Sequence, residues 1–410
     1  MRQWLALFLA CLACGFSSAH AGTDESRLRG KALDQRVEQL MRAAHVPGLA
    51  LALVEHGQVT YLHAYGERDT ANHQPLTVDT VMYAASITKA AFSYAVMTLV
   101  DEHRLALDKP ITNLLPKPLP DYAKYADLAG DERWRSITLR MLLAHTAGFP
   151  NFRFFTSAGY DPKGKLTIAF DPGARFAYSG EGINLLQFAL EEGTRVDVGE
   201  LMQRQLFDRF GMTRTGMTWR DAFADNLAVN YDEAGKPLEH KHRESVRAAG
   251  SMDTTPHDYA QLLAGMVRGD GLSAGAHADW LRPVIRIHSA QQFPTLDTAT
   301  TSDNDDIALS YASGVAVYRS PQGPAWFKTG HDDGTNNLVL CLQASQDCVM
   351  IMSNSSHAEG IYRYLLDITL GATCYPWFWD NDIPYDHPEW SSSEARGMPH
   401  PPCADLPFPR

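Results

Sequence analysis

Between Ser86 and Pro110 the chain contains neither glycine nor proline, and Ala90, Ala91, Phe92, Tyr94, Ala95, Val96, Leu99 and Val100 crowd its first half. That composition favours a long helix with a buried start. If the helix begins near Ser86, Ser86 and Lys89 are three positions apart and share one face. Ser86 then sits where free backbone N–H groups and the positive end of the helix dipole converge. A serine there can meet a developing oxyanion. A lysine one turn away can take its proton if burial and neighbouring cations lower the lysine's pKa. The same pair also reads as an N-cap serine beside a snorkelling lysine, so the choice turns on the rest of the chain.

Helical spacing of Leu33, Val37, Leu40, Met41 and Ala44 predicts a first helix that Pro47-Gly48 ends. A hairpin follows: Leu49–Glu55, a His56-Gly57 turn, then Gln58–Tyr65. Its first arm is almost wholly apolar, as for a strand covered on both faces. The Pro-rich stretch 105–135 reads as loop. Helices are expected at Leu139–His145 behind Thr138, at Ile183–Glu192, at Asp197–Phe210, and from Pro256 behind Thr255. Strand periodicity returns at Ser313–Tyr318, Ala325–Lys328, Asn337–Leu342 and Cys348–Met352, and a helix Ile361–Leu370 closes on Gly371. Strands at both ends and helices between them imply a mixed α/β fold. An antiparallel sheet is built from both termini and flanked by helices, with a helical subdomain at about 105–300.

Residues 1–21 read as a leader: Arg2, an apolar run Trp4–Phe16, and Ala19-His20-Ala21 before the cut. A lipoprotein anchor at Cys11 or Cys14 fits less well, and no run is long enough for a transmembrane span. The expectation is an exported chain, periplasmic or secreted, with one body over 22–370. The Pro- and aromatic-rich extension 371–410 should pack on that body. The net charge of −12, one more negative without Arg2, argues against nucleic acid as a partner. Cys341, Cys348, Cys374 and Cys403 remain, with three pairings open. Cys341 and Cys348 could bridge a hairpin, which leaves Cys374 with Cys403 to tie the tail.

Two further motifs follow Ser86-x-x-Lys89. Asp171-Pro172-Gly173 leads into Tyr178-Ser179-Gly180, and Lys328-Thr329-Gly330-His331 closes a strand. Acyl transfer has a task for each. The serine needs a base in contact, either Lys89 or a Tyr178 phenolate stabilised by Lys89 and Lys328. The N–H groups of Ser86 and His331 could form an oxyanion hole. Gly330 lets a substrate lie close along the strand, and Lys328 with Thr329 could hold a carboxylate.

In this order the three motifs resemble those of the penicillin-recognising serine hydrolases, in the branch of class C β-lactamases, D-Ala-D-Ala carboxypeptidases and family VIII esterases. Pro47-Gly48-Leu49-Ala50, Leu142-Leu143-Ala144-His145-Thr146-Ala147-Gly148 and Phe207-x-x-Phe210-Gly211-Met212-x-x-Thr215 extend the likeness over nearly all of the mature chain. The resemblance implies a β-lactamase/penicillin-binding-protein-like fold and an acyl-enzyme on Ser86. The catalytic set is Ser86, Lys89, Tyr178 and Lys328, with Thr329, Gly330 and Gly180 facing substrate. Neither metal nor organic cofactor is implied, and the partner is a small molecule or cell-wall peptide. Gly180 departs from the family pattern, which places an asparagine there to read the substrate amide. His331 departs too, standing where lactamases more often carry a small residue. The intact Lys-Thr-Gly points to a carboxylate-bearing amide, a β-lactam or D-Ala-type peptide, with a carboxylesterase as the alternative. A slow-deacylating penicillin sensor or scaffold is a third reading. Oligomeric state is left open.

Other polar groups read as structural. His145 closes a helix end, Glu239-His240-Lys241-His242 reads as a solvated loop, and Asp303–Asp306 as an exposed turn. His331-Asp332-Asp333 reads as the rim of the site. No G-x-S-x-G elbow or G-x-x-x-x-G-K-[ST] loop occurs.

Overall fold

The apolar run after Pro47 becomes strand β1 (Gly48–Glu55), and its alternation assigns it to two cores at once. Ala50, Ala52 and Val54 face one layer of helices; Leu49, Leu51 and Leu53 face the other. The computed structural model describes residues 27–156, 159–392 and 394–403; the leader expected at 1–21 lies outside them. Around β1 are β2 (Gln58–Asp69), β3 (Gln74–Pro75), β4 (Ile285–Arg286), β5 (Ser310–Tyr311), β6 (Ala316–Ser320), β7 (Gly323–Asp332), β8 (Thr335–Leu342) and β9 (Asp347–Ser353). Among the described residues they form one nine-stranded sheet in the order β4-β5-β6-β7-β8-β9-β1-β2-β3. The join between the two ends of the chain is the antiparallel β1–β9 pair, in register from Leu49↔Ser353 to Val54↔Cys348. The fold is therefore the mixed α/β, sheet-from-both-ends arrangement that the sequence implies.

One face of the sheet carries α1 (Gly30–Ala43) and α8 (Tyr362–Leu370). The other carries α2 (Ile87–Asp101), α3 (Leu139–Leu143), α4 (Gly180–Thr194), α5 (Val198–Met202), α6 (Pro256–Arg268) and α7 (Ala274–Trp280). Every residue of α2 from Ile87 to Leu99 is buried, the condition of a helix apolar all round and surrounded by protein. The Pro-rich stretch is a chain of 3₁₀ turns, Ile111–Asn113, Leu119–Asp121, Ala123–Leu128 and Glu132–Ser136. Thr138 and Thr255 cap α3 and α6 through their side chains, as their positions imply.

Three elements differ from the sequence expectation. α4 starts three residues earlier than Ile183, because Ser179 caps it by accepting from the Gly182 N–H at 2.8 Å. The helix expected over Asp197–Phe210 widens after Met202 into a π turn, Gln203–Phe207. Short α7 has a single large apolar residue in its seven, so periodicity misses it. Trp280 nevertheless anchors it, buried with its indole donating to Ser93 Oγ at 3.0 Å.

Tyr375, Trp377, Phe378 and Trp379 of the C-terminal extension are buried in the same core as α1 and α8. Disulfides join Cys341 to Cys348 across the β8–β9 hairpin and Cys374 to Cys403 across the tail.

Candidate active site

The start of α2 is held from three sides. Ala85 takes a left-handed φ of 46°, strained for a residue with a Cβ, and delivers Ser86 into the first helical turn. From β8, Asn337 donates its side-chain amide to the carbonyls of Tyr83 at 3.0 Å and Ala84 at 3.2 Å. From β7, Gly330 approaches so closely that a Cβ on it would lie 2.7 Å from the Ala84 carbonyl and 3.0 Å from the Ser86 nitrogen. The glycine of Lys-Thr-Gly thus has a packing reason beside the substrate reason read from sequence: it lets the strand touch the serine's own backbone.

Ser86 makes no capping hydrogen bond with its side chain and is partly exposed, whereas its neighbours are buried. Its Oγ accepts from Lys89 Nζ at 2.8 Å. Lys89 also donates to the Ala249 carbonyl at 2.6 Å and is 1% exposed, so it does not snorkel. Burial, and then the charge of Lys328, hold its pKa well below that of an ordinary lysine.

The Tyr178 ring lies between the two lysines, with Lys89 Nζ 5.0 Å and Lys328 Nζ 4.9 Å from its centroid. Burial raises the Tyr178 pKa against the opposing pull of nearby Ser86, and the Asp380 charge adds to the rise. The Tyr178 hydroxyl is buried without a partner of hydrogen-bond geometry. Burial thus works against the phenolate, and the lowered pKa of Lys89 weakens one of the two cations that the sequence reading placed beside it. His145 props this segment: its Nδ1 accepts from the Ser179 N–H at 3.2 Å, and its ring packs on Tyr178 at 4.5 Å. Burial lowers the His145 pKa far below normal, which fits the structural role expected of it.

Gly180 is buried at the start of α4, and a Cβ there would meet the Phe152 ring at 2.6 Å. Its N–H donates to Asn151 Oδ1 at 3.0 Å. The space that the missing side chain leaves is filled by the protein itself.

On β7, Lys328 is buried and donates to the Thr329 carbonyl at 2.7 Å. Burial brings its pKa down to about 8 against the opposing pull of Asp380 and Asp382. Thr329 Oγ1 donates to Asp380 at 2.9 Å, and Asp380 also accepts from Tyr375 at 2.7 Å and from the Gln292 amide. His331 Nε2 sits 3.1 Å from Glu359 and 3.3 Å from Asp382. Burial alone would lower its pKa; pairing with Asp382 and Glu359 outweighs that and raises it to about 10. These three side chains are the metal-ligand grouping found among the described residues. As the structure stands, His331 bridges the two carboxylates as an ion triad.

A cavity of about 1140 Å³ opens beside these groups, lined by Asn151, Phe152, Phe293, His331, Glu359 and Asp380 among others. Phe293 contacts the Tyr178 ring at 5.5 Å. The Glu239–His242 stretch reaches the cavity rim and is only partly solvated: Lys241 is 3.6 Å from the lining residue Asp332, His240 is 3.4 Å from buried Asp253, and His242 stacks on Trp219 at 3.7 Å.

The site thus brings Ser86, Lys89, Tyr178 and Lys328 together, places Thr329, Gly330 and His331 along the adjoining strand, and closes Gly180 off under Phe152. Ala249, Asn337, Glu359, Asp380 and Asp382 were not foreseen. A signal existed for the last two, as acids inside the aromatic run Tyr375–Trp379 and its continuation.

Sheet, helices and motif order define the class of penicillin-recognising serine hydrolases. The family model described as Beta-lactamase matches residues 33–370, and the chain belongs to that family. It is 28% identical over 246 residues to a probable fimbrial assembly protein, FimD, of Dichelobacter nodosus, covering 55% of this chain and 59% of that one. It is 26% identical over 327 residues to esterase EstB of Burkholderia gladioli, covering 72% of this chain and 77% of that one. Among solved structures, the octameric penicillin-binding protein homologue of Pyrococcus abyssi matches with a TM-score of 0.67 at 20% identity, over 83% of this chain and 77% of that one. The D-alanine carboxypeptidase AmpC of Burkholderia cenocepacia matches with a TM-score of 0.61 at 18% identity, over 79% and 93%. These structures share the fold.

Proposed function

We propose that the protein is an exported serine hydrolase that cleaves carboxyl esters through an acyl-enzyme on Ser86. The observation that carries the reaction class is the 2.8 Å contact between a buried, low-pKa Lys89 and Ser86 Oγ. Neutral Lys89 takes the hydroxyl proton as Oγ attacks the acyl carbon, while the N–H groups of Ser86 and His331 receive the oxyanion. The leaving oxygen collects the proton from Lys89, relayed by protonated Tyr178 where the alcohol is out of the lysine's reach. Water then enters and attacks the acyl carbon as it gives a proton to Lys89; the acid leaves as Lys89 returns that proton to Ser86 Oγ. No step requires a metal or an organic cofactor.

The ester reading, over the carboxylate-bearing amide expected from the intact Lys-Thr-Gly, is supported at Gly180. Gly180 has no side-chain amide of its own to read a peptide or lactam, its N–H is held by Asn151 Oδ1, and Phe152 occupies the place where a side chain at 180 would extend. The likeness to EstB points the same way. A β-lactam or D-Ala peptide remains the second reading, favoured by Lys328 and Thr329. Two disulfides accord with export. Mass spectrometry after incubation with a p-nitrophenyl ester and with a penicillin tests both readings. A transient adduct from the ester, with none or a dead-end one from penicillin, is the expected result. Rapid turnover of penicillin alone would replace the ester reading with the amide one.

A further inference from the structure

The end of the site that reads a substrate carboxylate already contains a carboxylate. Thr329 has one hydroxyl proton and gives it to Asp380, so it can only accept from anything that arrives. Asp380 is 1% exposed and is fixed by Gln292 and Tyr375 as well. It stands six residues into a tail that the Cys374–Cys403 disulfide closes and that Trp377 and Trp379 bury. The positive charge of Lys328 faces both Asp380 and Asp382. His331, the remaining cation on the strand, is taken by Glu359 and Asp382. An incoming carboxylate would therefore find no free hydroxyl donor on Thr329 and the buried carboxyl groups of Asp380 and Asp382 beside its place, both with pKa values raised by burial. The cavity wall continues the pattern: Glu233, Asp333 and Glu359 join Asp380 there, against Lys165 and an Arg153 that is bound to Glu181 at 2.9 Å.

We infer that Asp380 of the C-terminal extension stands in for the substrate carboxylate at Lys328–Thr329, so that the site selects acyl substrates bearing an amine at that end and rejects those bearing a carboxylate. The inference rests on the serine-hydrolase reading above and adds a substrate class to it. An ammonium group suits the place by donor count. It can donate to the Thr329 oxygen and to Asp380, where a carboxylate could accept only from Lys328, whose Nζ already donates to the Thr329 carbonyl. Asp380 acts here as a specificity residue; the bond-breaking step belongs to Ser86 and Lys89.

The test compares three p-nitrophenyl esters of similar length, whose acyl chains end in an ammonium, a methyl or a carboxylate. For the wild-type protein, kcat/KM should fall in that order, with roughly tenfold or more between the ends of the series. Asp380→Asn should collapse the spread and raise the carboxylate ester relative to the other two. The ratio among esters within one protein sample does not depend on the fraction that is folded. If Asp380→Asn does not fold, competitive inhibition of the wild type by butylammonium against butyrate carries the same comparison, with butylammonium expected to bind tighter. A flat series, a preference for the carboxylate ester, or tighter butyrate binding would overturn the inference while leaving the hydrolase reading intact. Failure of all three esters, with no fluorophosphonate adduct on Ser86, would overturn both.

Discussion

At the Ser86 end of the site, nucleophile and base come from one turn of helix, Ser86 and Lys89, and their contact is fixed by the helix itself. At the Lys328 end, the groups come from a strand, from Glu359 in the 3₁₀ turn Ala358–Ile361, and from a tail whose Asp380 meets Thr329 across 51 residues of sequence. The first arrangement is local and leaves one hydroxyl part-exposed; the second is assembled from distant parts of the chain and its side chains pair with one another. Chemistry is concentrated at the local end, and selection at the assembled one. That separation lets a tail retune what enters without disturbing how the bond is cut.

The sharpest break of this comparison is at the nucleophile. Ser86→Ala should lower kcat/KM by roughly 10⁴-fold or more and abolish labelling by a fluorophosphonate, with the melting curve unchanged. Label persisting on another serine would remove the local end from the chemistry. Lys89→Ala comes next. Losing a positioned base should cost on the order of 10²–10⁴-fold in kcat, measurable with an activated ester, and part of the loss should return with added small primary amines. A variant that kept its rate would shift the base to Tyr178.

This contrast also sets what could be read from the sequence. Ser86 and Lys89 were legible because three-residue spacing on a helix is a contact. Both faces of β1 were legible in Leu49–Val54, because a strand buried twice has no polar residues to give. Tyr178 and Lys328 could be placed only through motif order, since nothing in their local pattern brings them to Ser86. Gly180 was read as facing substrate, and the structure covers it with Phe152, a residue in a loop with no periodicity. Asp380 and Asp382 escaped because a Pro- and Trp-rich tail announces packing but not where it packs. The disulfide pairing, by contrast, followed from a hairpin that leaves only one partner for the remaining cysteine.

Gly330 is where the two ends touch, so Gly330→Ala tests whether the contact is needed. Its Cβ would press on backbone atoms of Ala84, Ser86 and Ile87, which can yield only by moving the serine. A displacement of about 1 Å there is expected to cost on the order of a hundredfold in kcat. A variant with full activity would show that strand and helix start can part without consequence. Cys403→Ser loosens the assembled end alone. Cys374–Cys403 closes 29 residues, for which the chain-entropy estimate is about 3.6 kcal/mol; Cys341–Cys348 closes 7 and should contribute less. Urea melts of Cys403→Ser and Cys341→Ser should therefore differ, with the tail variant less stable and its Ser86 still labelled. The reverse order of stabilities would mean that the tail is held by its aromatic residues and not by the bond.

The smallest expected effect links the two ends through charge. Lys328 is the second cause, after burial, of the low Lys89 pKa. With its own pKa near 8, Lys328 is charged below that pH and neutral above it. Lys328→Met removes a cation beside Lys89, so protonated Lys89 becomes less unfavourable and its pKa rises. The base form then appears at higher pH, and the acidic limb of kcat/KM for a neutral ester should move toward alkaline pH by a fraction of a unit up to about one unit. The deficit of the variant should be largest at pH 6–7, where wild-type Lys328 carries its charge. It should shrink as pH passes 8, where the wild type loses that charge too. A limb that stays in place, or a deficit constant across the range, would mean that Lys328 acts on the substrate and not on Lys89. The local end would then owe nothing to the assembled one.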